Sequence, residues 1–387
     1  MKIGFVSITN AAVATPRSLH SYFEAKALRD LGLEVRFLGP LSQRQTVGLL
    51  ARRLLNRVFT GRRILPDRDP SVVGNFAGQI TRKLAEASVD VLFSDSTIPI
   101  SLLNCQVPIV FWVDATFAGM LDFYPSFSGL QRENIENGNR MEQTALSHAA
   151  LAIYSSAWAA RTCLNYYRVD RAKVEVVPFG PNLEKERPLE EVDTMIRARS
   201  SKTCHLLFSG ITWQRKGGDT TLRLAEALNR AGLPTELEIV GCRPPSEPSL
   251  PDYVKVIDYL DVSTSAGMRE YEAHLARSHF LILPTRADCT PRVIYEANAM
   301  GVPCVTSDVG GLPSMIRRDV NGAMFPPDVR FVPSAADYIL GVMQPGTTYV
   351  DLAARTVRDQ KERHTWEISA QRIMTLLEMV CAPSHSK

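Results

Sequence analysis

An α/β fold of two doubly wound, Rossmann-like domains is predicted by three observations on this 387-residue chain. Short apolar runs alternate with longer amphipathic stretches along its length, the pattern of parallel strands covered by helices on both faces. The series runs twice, and the break between its halves falls at a polar, proline-marked stretch, residues 181–188. With 45% apolar residues there is material for two cores. The expected division is 1–180, a linker at 181–188, 189–355, and a C-terminal helical segment at 356–387. Ligands of such sheets bind outside the carboxyl ends of the strands, so a cleft between the domains is the expected location of a site.

In the first half, Lys2 to Ser7 reads as a strand, Ser18 to Leu31 as a helix closed by Gly32, and Glu34 to Gly39 as the next strand. Further strands are predicted at Val89 to Ser94, at Ile109 to Val113 after Pro108, at Leu151 to Ser155 and at Val174 to Pro178. The second half opens on the apolar His205 to Phe208, followed by a helix over Thr220 to Ala231 and strands over Glu236 to Val240, Tyr253 to Ile257 and Phe280 to Leu283. Tyr349 to Val380 is helical with a break near His364-Thr365, and Trp366, Ile368, Ile373, Leu376 and Leu377 give it an apolar face.

Composition narrows the function classes. A net charge of +3 is too small to argue for nucleic acid. The seven cysteines form no C-x-x-C pair and read as buried thiols in a reducing compartment, so a cytoplasmic location is expected. No apolar window reaches about 18 residues, and Met1 to Asn10 is too quickly polar for a signal peptide. No His/Cys cluster with ligand spacing and no D-x-D motif argues for a metal.

The most informative stretch runs from Pro284 to Pro303. Pro284 stops the Phe280 to Leu283 strand, Thr290 can cap a helix, Pro291 suits its first position, and Gly301 and Pro303 end it. A helix start just beyond a parallel strand favours a phosphate. Asp288 would stand beside that phosphate and Glu296 about two turns further in. The other reading is a capping Asp288 and a solvated Glu296.

A second constellation, Phe208 to Asp219, repeats strand, glycine turn and helix, and brings Arg215 and Lys216 near the same cleft. Cations there stabilise a leaving group that gains negative charge more than the bound ground state. In the first half, Asp114 follows the strand Ile109 to Val113 and either accepts a ligand hydroxyl or caps a turn. Arg17 and His20 stand after the first strand, where a lone His is more often structural. Trp158 reads as packing before sugar stacking. Residues 44–63 put Val47, Leu50, Leu54, Leu55 and Val58 on one helical face with Arg52, Arg53 and Arg57 mostly off it. Peripheral contact with an anionic membrane is one reading, a solvated domain helix the other.

The acid, then Glu eight positions later in Glu296-Ala297-Asn298-Ala299-Met300-Gly301-Val302-Pro303, resembles the E-x7-E region of retaining GT-B glycosyltransferases, especially glycosyltransferase family 4. Val305 to Pro313 and Asp319-Val320-Asn321-Gly322 fit the same family. The resemblance implies that Asp288 faces the transferred sugar and Glu296 the ribose hydroxyls. It also implies that Gly210 opens the family's diphosphate loop, that Lys216 matches its lysine, and that the last helix crosses back onto the first domain. Departures accompany it. The first acid is Asp, Ile211 occupies the expected arginine position, with Arg215 either replacing that arginine or standing as a solvated residue, and Asp114 replaces a histidine. Cys289 and Pro291 replace glycines, leaving Thr290, Arg292 and Val293 to present N–H groups. The implied function is retaining, metal-independent transfer of a hexosyl group from a UDP- or GDP-sugar, without a cofactor, to a hydroxyl of a glycan, glycolipid or other acceptor. The alternatives are a non-catalytic GT-B subunit and a sugar-nucleotide epimerase.

Overall fold

The computed structural model describes residues 1–245, 250–344 and 349–382. Twelve strands alternate with helices: β1 Lys2–Val6, β2 Glu34–Phe37, β3 Val91–Ser94, β4 Ile109–Val113, β5 Ala149–Tyr154, β6 Val174–Val176, β7 Cys204–Ser209, β8 Thr235–Val240, β9 Val254–Ile257, β10 Phe280–Leu283, β11 Cys304–Ser307 and β12 Gly322–Phe325. The helices in the first part are α1 Leu19–Asp30, α2 Val47–Thr60, α3 Pro70–Glu86, α4 Phe117–Met120, α5 Arg132–His148 and α6 Ala157–Tyr166. Those that follow are α7 Leu189–Ala198, α8 Trp213–Lys216, α9 Gly218–Arg230, α10 Ser265–Arg277, α11 Arg292–Ala299, α12 Phe331–Val342, α13 Tyr349–Arg363 and α14 Trp366–Cys381.

Two compact units result. Unit 1 comprises Met1–Pro178 with the chain from Trp366 onward, and unit 2 comprises Phe179–Thr365. Each holds one six-stranded sheet, and every strand pair in both is parallel. The buried strands FLIL of β10 and IVFWV of β4 are apolar on both faces, as parallel strands sandwiched by helices must be.

Strand order decides where each unit can bind. In unit 1 it is β2-β1-β3-β4-β5-β6, and in unit 2 β12-β11-β10-β7-β8-β9. The order reverses between β1 and β3 in the first sheet and between β7 and β10 in the second. Crossover helices leave those two strand pairs on opposite faces, so a crevice opens at their carboxyl ends. The segments after β1 and β3, and those after β7 and β10, are therefore the chain's two natural binding positions.

A break in the helix at His364-Thr365 separates α13 from α14, which begins at Trp366. The Trp366 ring lies parallel to Phe23 of α1 at 6.1 Å and edge-on to Trp112 of β4 at 5.9 Å. Ser369 Oγ donates to the Pro178 carbonyl at 2.7 Å. These contacts hold α14 on the sheet of unit 1.

One local expectation is corrected. Thr290 does not cap α11, and Pro291 is not its first residue. Pro291 occupies the cap position in extended conformation and makes no side-chain cap bond, so the helix begins at Arg292. Pro291 itself takes ψ 109°, outside the helical range, which moves the cap one residue on from Thr290.

Candidate functional site

At the reversal point of unit 2, β7 leads through Gly210 into the single turn α8, which carries Arg215 and Lys216. Gly217 ends that turn at φ +82°, and a Cβ there would lie 2.1 Å from the Pro284 carbonyl oxygen at the end of β10. Only glycine combines that left-handed backbone with so close an approach. The β10 segment fastens the turn further, since Arg286 N donates to the Arg215 carbonyl at 2.8 Å and Thr285 Oγ lies 3.1 Å from the same oxygen. The two loops thus form one piece, with their charged side chains aimed at a common point.

That point is Asp288. Lys216 Nζ donates to its Oδ2 at 2.7 Å, and Arg215 Nη1 stands 3.3 Å from the same oxygen while donating to the Ala287 carbonyl at 2.8 Å. Thr285 Oγ is 3.3 Å away. Lys216 and Asp288 are both buried. The lysine stem lies against Gly210, where a Cβ would meet Lys216 Cγ at 3.0 Å, so a side chain there would push the cation aside. Ile211, at the position where the resemblance expects an arginine, is 70% exposed and reaches none of this. Arg215, four residues on, does reach it. A buried carboxylate paired with two cations is electrostatically satisfied without a ligand, and a diphosphate that takes over the cations must displace it.

Glu296 lies on α11 and is also buried, but in a different setting. Tyr271 of α10 donates its hydroxyl to Glu296 Oε2 at 3.1 Å. Burial pushes the Glu296 carboxyl up to about 7, against the opposing pull of the Tyr271 hydrogen bond, the Arg292 guanidinium, the Asn182 amide and the Lys216 ammonium. The Asn182 side-chain oxygen is itself buried with no hydrogen-bond partner among the described residues. A carboxylate accepts from a pair of neighbouring hydroxyls, so Glu296 suits a diol. Arg292 packs its guanidinium 4.7 Å from the centre of the Phe179 ring. Ile294 N already bonds to Pro291 O, while the Val293 amide, in the first turn, has no acceptor within the helix. Thr290 is buried just ahead of that turn.

Asp114 belongs to unit 1. It lines a cavity of about 220 Å³ at that unit's own reversal point, with His20, Asp67, Arg68, Asp95, Thr97 and Glu142. Glu142 is buried on α5. Its Oε2 accepts from Thr97 Oγ at 2.6 Å, and its Oε1 has no hydrogen-bond partner among the described residues. Burial pushes Glu142 up to about 6, against Thr97 and the Arg68 guanidinium. Asp95 is likewise pushed up to about 6 by burial, with the Ser21 and Ser7 hydroxyls and its own amide holding it back. His20 Nε2 sits 2.8 Å from Oε1 of the buried Glu24. Trp158 packs against Phe123, with ring centres 5.1 Å apart. Among the described residues no group of three or more His, Cys, Asp or Glu is placed to hold a metal ion.

Sequence reasoning missed Tyr271, Asn182, Arg68 and Asp95 as site residues and placed Glu142 only on a helix near the site. Asp95 carried a usable signal, since it directly follows a buried strand at the reversal point. Tyr271 carried none, because its partner Glu296 is 25 residues away on another helix.

The comparisons with known proteins follow the two units. Residues 19–185 match the model described as Glycosyltransferase Family 4, and residues 203–344 match Glycosyl transferases group 1. The chain belongs to the family 4 glycosyltransferases. Sucrose-phosphate synthase from Thermosynechococcus elongatus superposes with a TM-score of 0.70 at 16% identity, over 99% of this chain and 100% of that one. HepE of Anabaena, in complex with UDP-glucose, gives 0.63 at 15% identity, over 98% and 100%. The fold is GT-B. Among curated proteins, the D-inositol 3-phosphate glycosyltransferase of Segniliparus rotundus is 27% identical over 166 residues, 41% of this chain and 37% of that protein. That of Paenarthrobacter aurescens is 24% identical over 178 residues, 44% of each. The match thus spans less than half the length of these relatives.

Proposed function

We propose that this family 4 glycosyltransferase moves a hexosyl group from a UDP- or GDP-sugar to an acceptor hydroxyl with retention at the anomeric carbon. The observation that carries the reading is the buried Lys216–Asp288–Arg215 cluster at the carboxyl ends of β7 and β10. The diphosphate takes Lys216 and Arg215, aided by the amides at the start of α11. The ribose hydroxyls donate to Glu296, and Asp288, released from its cations, orients the sugar. As the bond from the anomeric carbon to the phosphate oxygen breaks, its electron pair stays on the diphosphate, where the cations offset the growing charge. The acceptor oxygen attacks from the same face and gives its proton to the departing phosphate. No protein nucleophile and no metal is assigned a step.

The acceptor would bind in unit 1, with its hydroxyls on Glu142 and Asp114. Glycan, polysaccharide and glycolipid acceptors fit this reading, as does a cytoplasmic enzyme that meets lipid-linked acceptors through residues 44–63. Uridine is the first base to try, because the HepE structures carry UDP and UDP-glucose. The inositol phosphate named for the curated relatives is a natural first acceptor. A second reading, a nucleotide-binding subunit without turnover, draws support from the exposed Ile211.

Calorimetric titration of UDP, GDP and ADP into the wild type and Glu296→Ala tests the assignment. Base-selective binding that the substitution weakens supports it, and no binding by any of the three removes the site. Product stereochemistry, read by NMR from the anomeric coupling, then decides retention.

A further inference from the structure

We infer that α2 is a membrane-docking helix that lies flat on an anionic bilayer with its apolar side sunk among the lipids. The inference deepens the reading above by naming the partner surface and the residues that make it, and it rests on that reading only for the acceptor being met there.

The helix is mounted the wrong way round for a soluble domain. Its inward side holds Leu49, the one buried residue of its fourteen, together with polar anchors. Arg52 pairs with Asp69 at 2.6 Å and Glu133 at 3.3 Å, Arg53 donates to the Gln45 side chain at 2.7 Å, and Asn56 donates to the Arg62 carbonyl at 2.9 Å. The outward side carries Val47, Leu50, Leu54, Leu55, Val58 and Phe59. Val47 is 84% exposed, Leu54 66%, Val58 68% and Phe59 79%. Helical spacing makes these residues one continuous strip. An apolar strip of this length on a surface helix marks an interaction site, whereas single exposed apolar residues do not.

Local signals form the helix without any partner. The Thr46 side chain accepts from Leu49 N, and Gly61 closes the helix in left-handed conformation at φ +68°. The exposed strip is therefore a property of the folded unit.

Charge selects the occupant. Residues 44–63 hold six arginines and no Asp or Glu. Arg52 and Arg53 are engaged inward, and Arg63 donates to the Ser128 carbonyl at 2.5 Å. Arg44, Arg57 and Arg62 are exposed with no acidic partner among the described residues. They flank the strip with positive charge. A second copy of the chain would set two such rims against each other, which like-charge repulsion opposes. A bilayer with anionic headgroups offers opposite charge at the rim and hydrocarbon at the strip. Among the described residues no helix is long and apolar enough to cross a membrane, so the contact is peripheral.

The test is co-sedimentation of the full chain with vesicles of phosphatidylcholine alone and of phosphatidylcholine with phosphatidylglycerol. Wild type is expected to pellet with the anionic vesicles, and added salt is expected to weaken that binding. Leu54→Glu combined with Val58→Glu is expected to lose about tenfold or more in vesicle affinity. Both positions are exposed, so its melting temperature and its UDP isotherm should match wild type. Those readouts separate a failure of the surface from a failure of the donor-site reading. Arg57→Glu with Arg62→Glu should lose binding to the anionic vesicles. Wild type left in the supernatant with both vesicle types overturns the inference, as does a Leu54/Val58 variant that pellets like wild type. A wild-type dimer that this variant dissociates, with no vesicle binding by either, also overturns it and assigns the strip to a second copy.

Discussion

The two reversal points treat charge in opposite ways. In unit 2 the carboxylate of Asp288 is matched by Lys216 and Arg215 on the same oxygen. In unit 1 the cavity sets Asp67, Asp95, Asp114 and Glu142 against Arg68 and His20, and leaves one Glu142 oxygen unmet. The first arrangement holds cations ready for an anion and keeps them neutralised until one arrives. The second holds acceptors ready for hydroxyl donors. On the proposed reading, equivalent places in two related sheets serve the donor and the acceptor.

The largest expected effect on ligand binding tests the cation side. Lys216→Ala should weaken nucleoside diphosphate binding about thirtyfold to hundredfold, or about 2–3 kcal/mol, the range for hydrogen bonds to charged groups. Arg68→Ala, in the other unit, should leave the same calorimetric isotherm unchanged. Equal losses in the two variants would erase the proposed division of labour.

Buried carboxyls give the next effect, through pH. Glu296 titrates near 7 when folded against an ordinary 4.5, so the native state holds its proton over that interval while the unfolded chain releases it. The stabilisation is complete below pH 4.5 and is lost as pH rises through about 7, by about 3 kcal/mol. Urea midpoints of wild type relative to Glu296→Gln, taken across that window, should show the decline. A flat difference would mean that the carboxyl is better solvated than its surroundings indicate. Glu142 repeats the argument over a narrower window, from 4.5 to about 6. Relative to Glu142→Gln, wild type should lose about 2 kcal/mol between those values. Nucleotide affinity should not change in that variant, and transfer to acceptor should fall.

How far the site was legible from sequence follows the same division. The segments 208–219 and 284–303 each carry strand end, turn and charged residues within one continuous run, so their chemistry could be read without knowing the fold. Their meeting could not. Lys216 and Asp288 are 72 residues apart, and only the parallel pairing of β7 with β10 brings their loops together. The unit 1 cavity draws on residues from 20 to 142, of which Asp114 and His20 stood out in the sequence, while Asp95 carried a signal only through its place after a buried strand. The inward mounting of α2 was hidden for a related reason. The sequence showed an amphipathic helix, but which side faces the protein depends on Asp69 and Glu133, residues beyond the helix itself. Thr290 and Pro291 looked like cap and first turn because both types favour those positions, but Pro291 takes an extended ψ of 109°, which its fixed φ allows as readily as a helical one.

The smallest predicted effect is the one whose sign separates the readings of Asp288 most cleanly. Asn at this position keeps the side-chain shape and an acceptor for Lys216 but removes the charge that neutralises both cations. If Asp288 competes with the diphosphate, Asp288→Asn should bind UDP or its base-matched equivalent about threefold to tenfold more tightly, since the ligand no longer displaces an ion pair. Turnover should fall at the same time, because the group that orients the sugar is weakened, and that loss should appear in kcat. Weaker binding would show instead that the carboxylate supports the bound diphosphate, for instance by fixing Lys216 and Arg215 in place. The ion-paired cluster would then be the binding geometry itself, already formed before any ligand arrives.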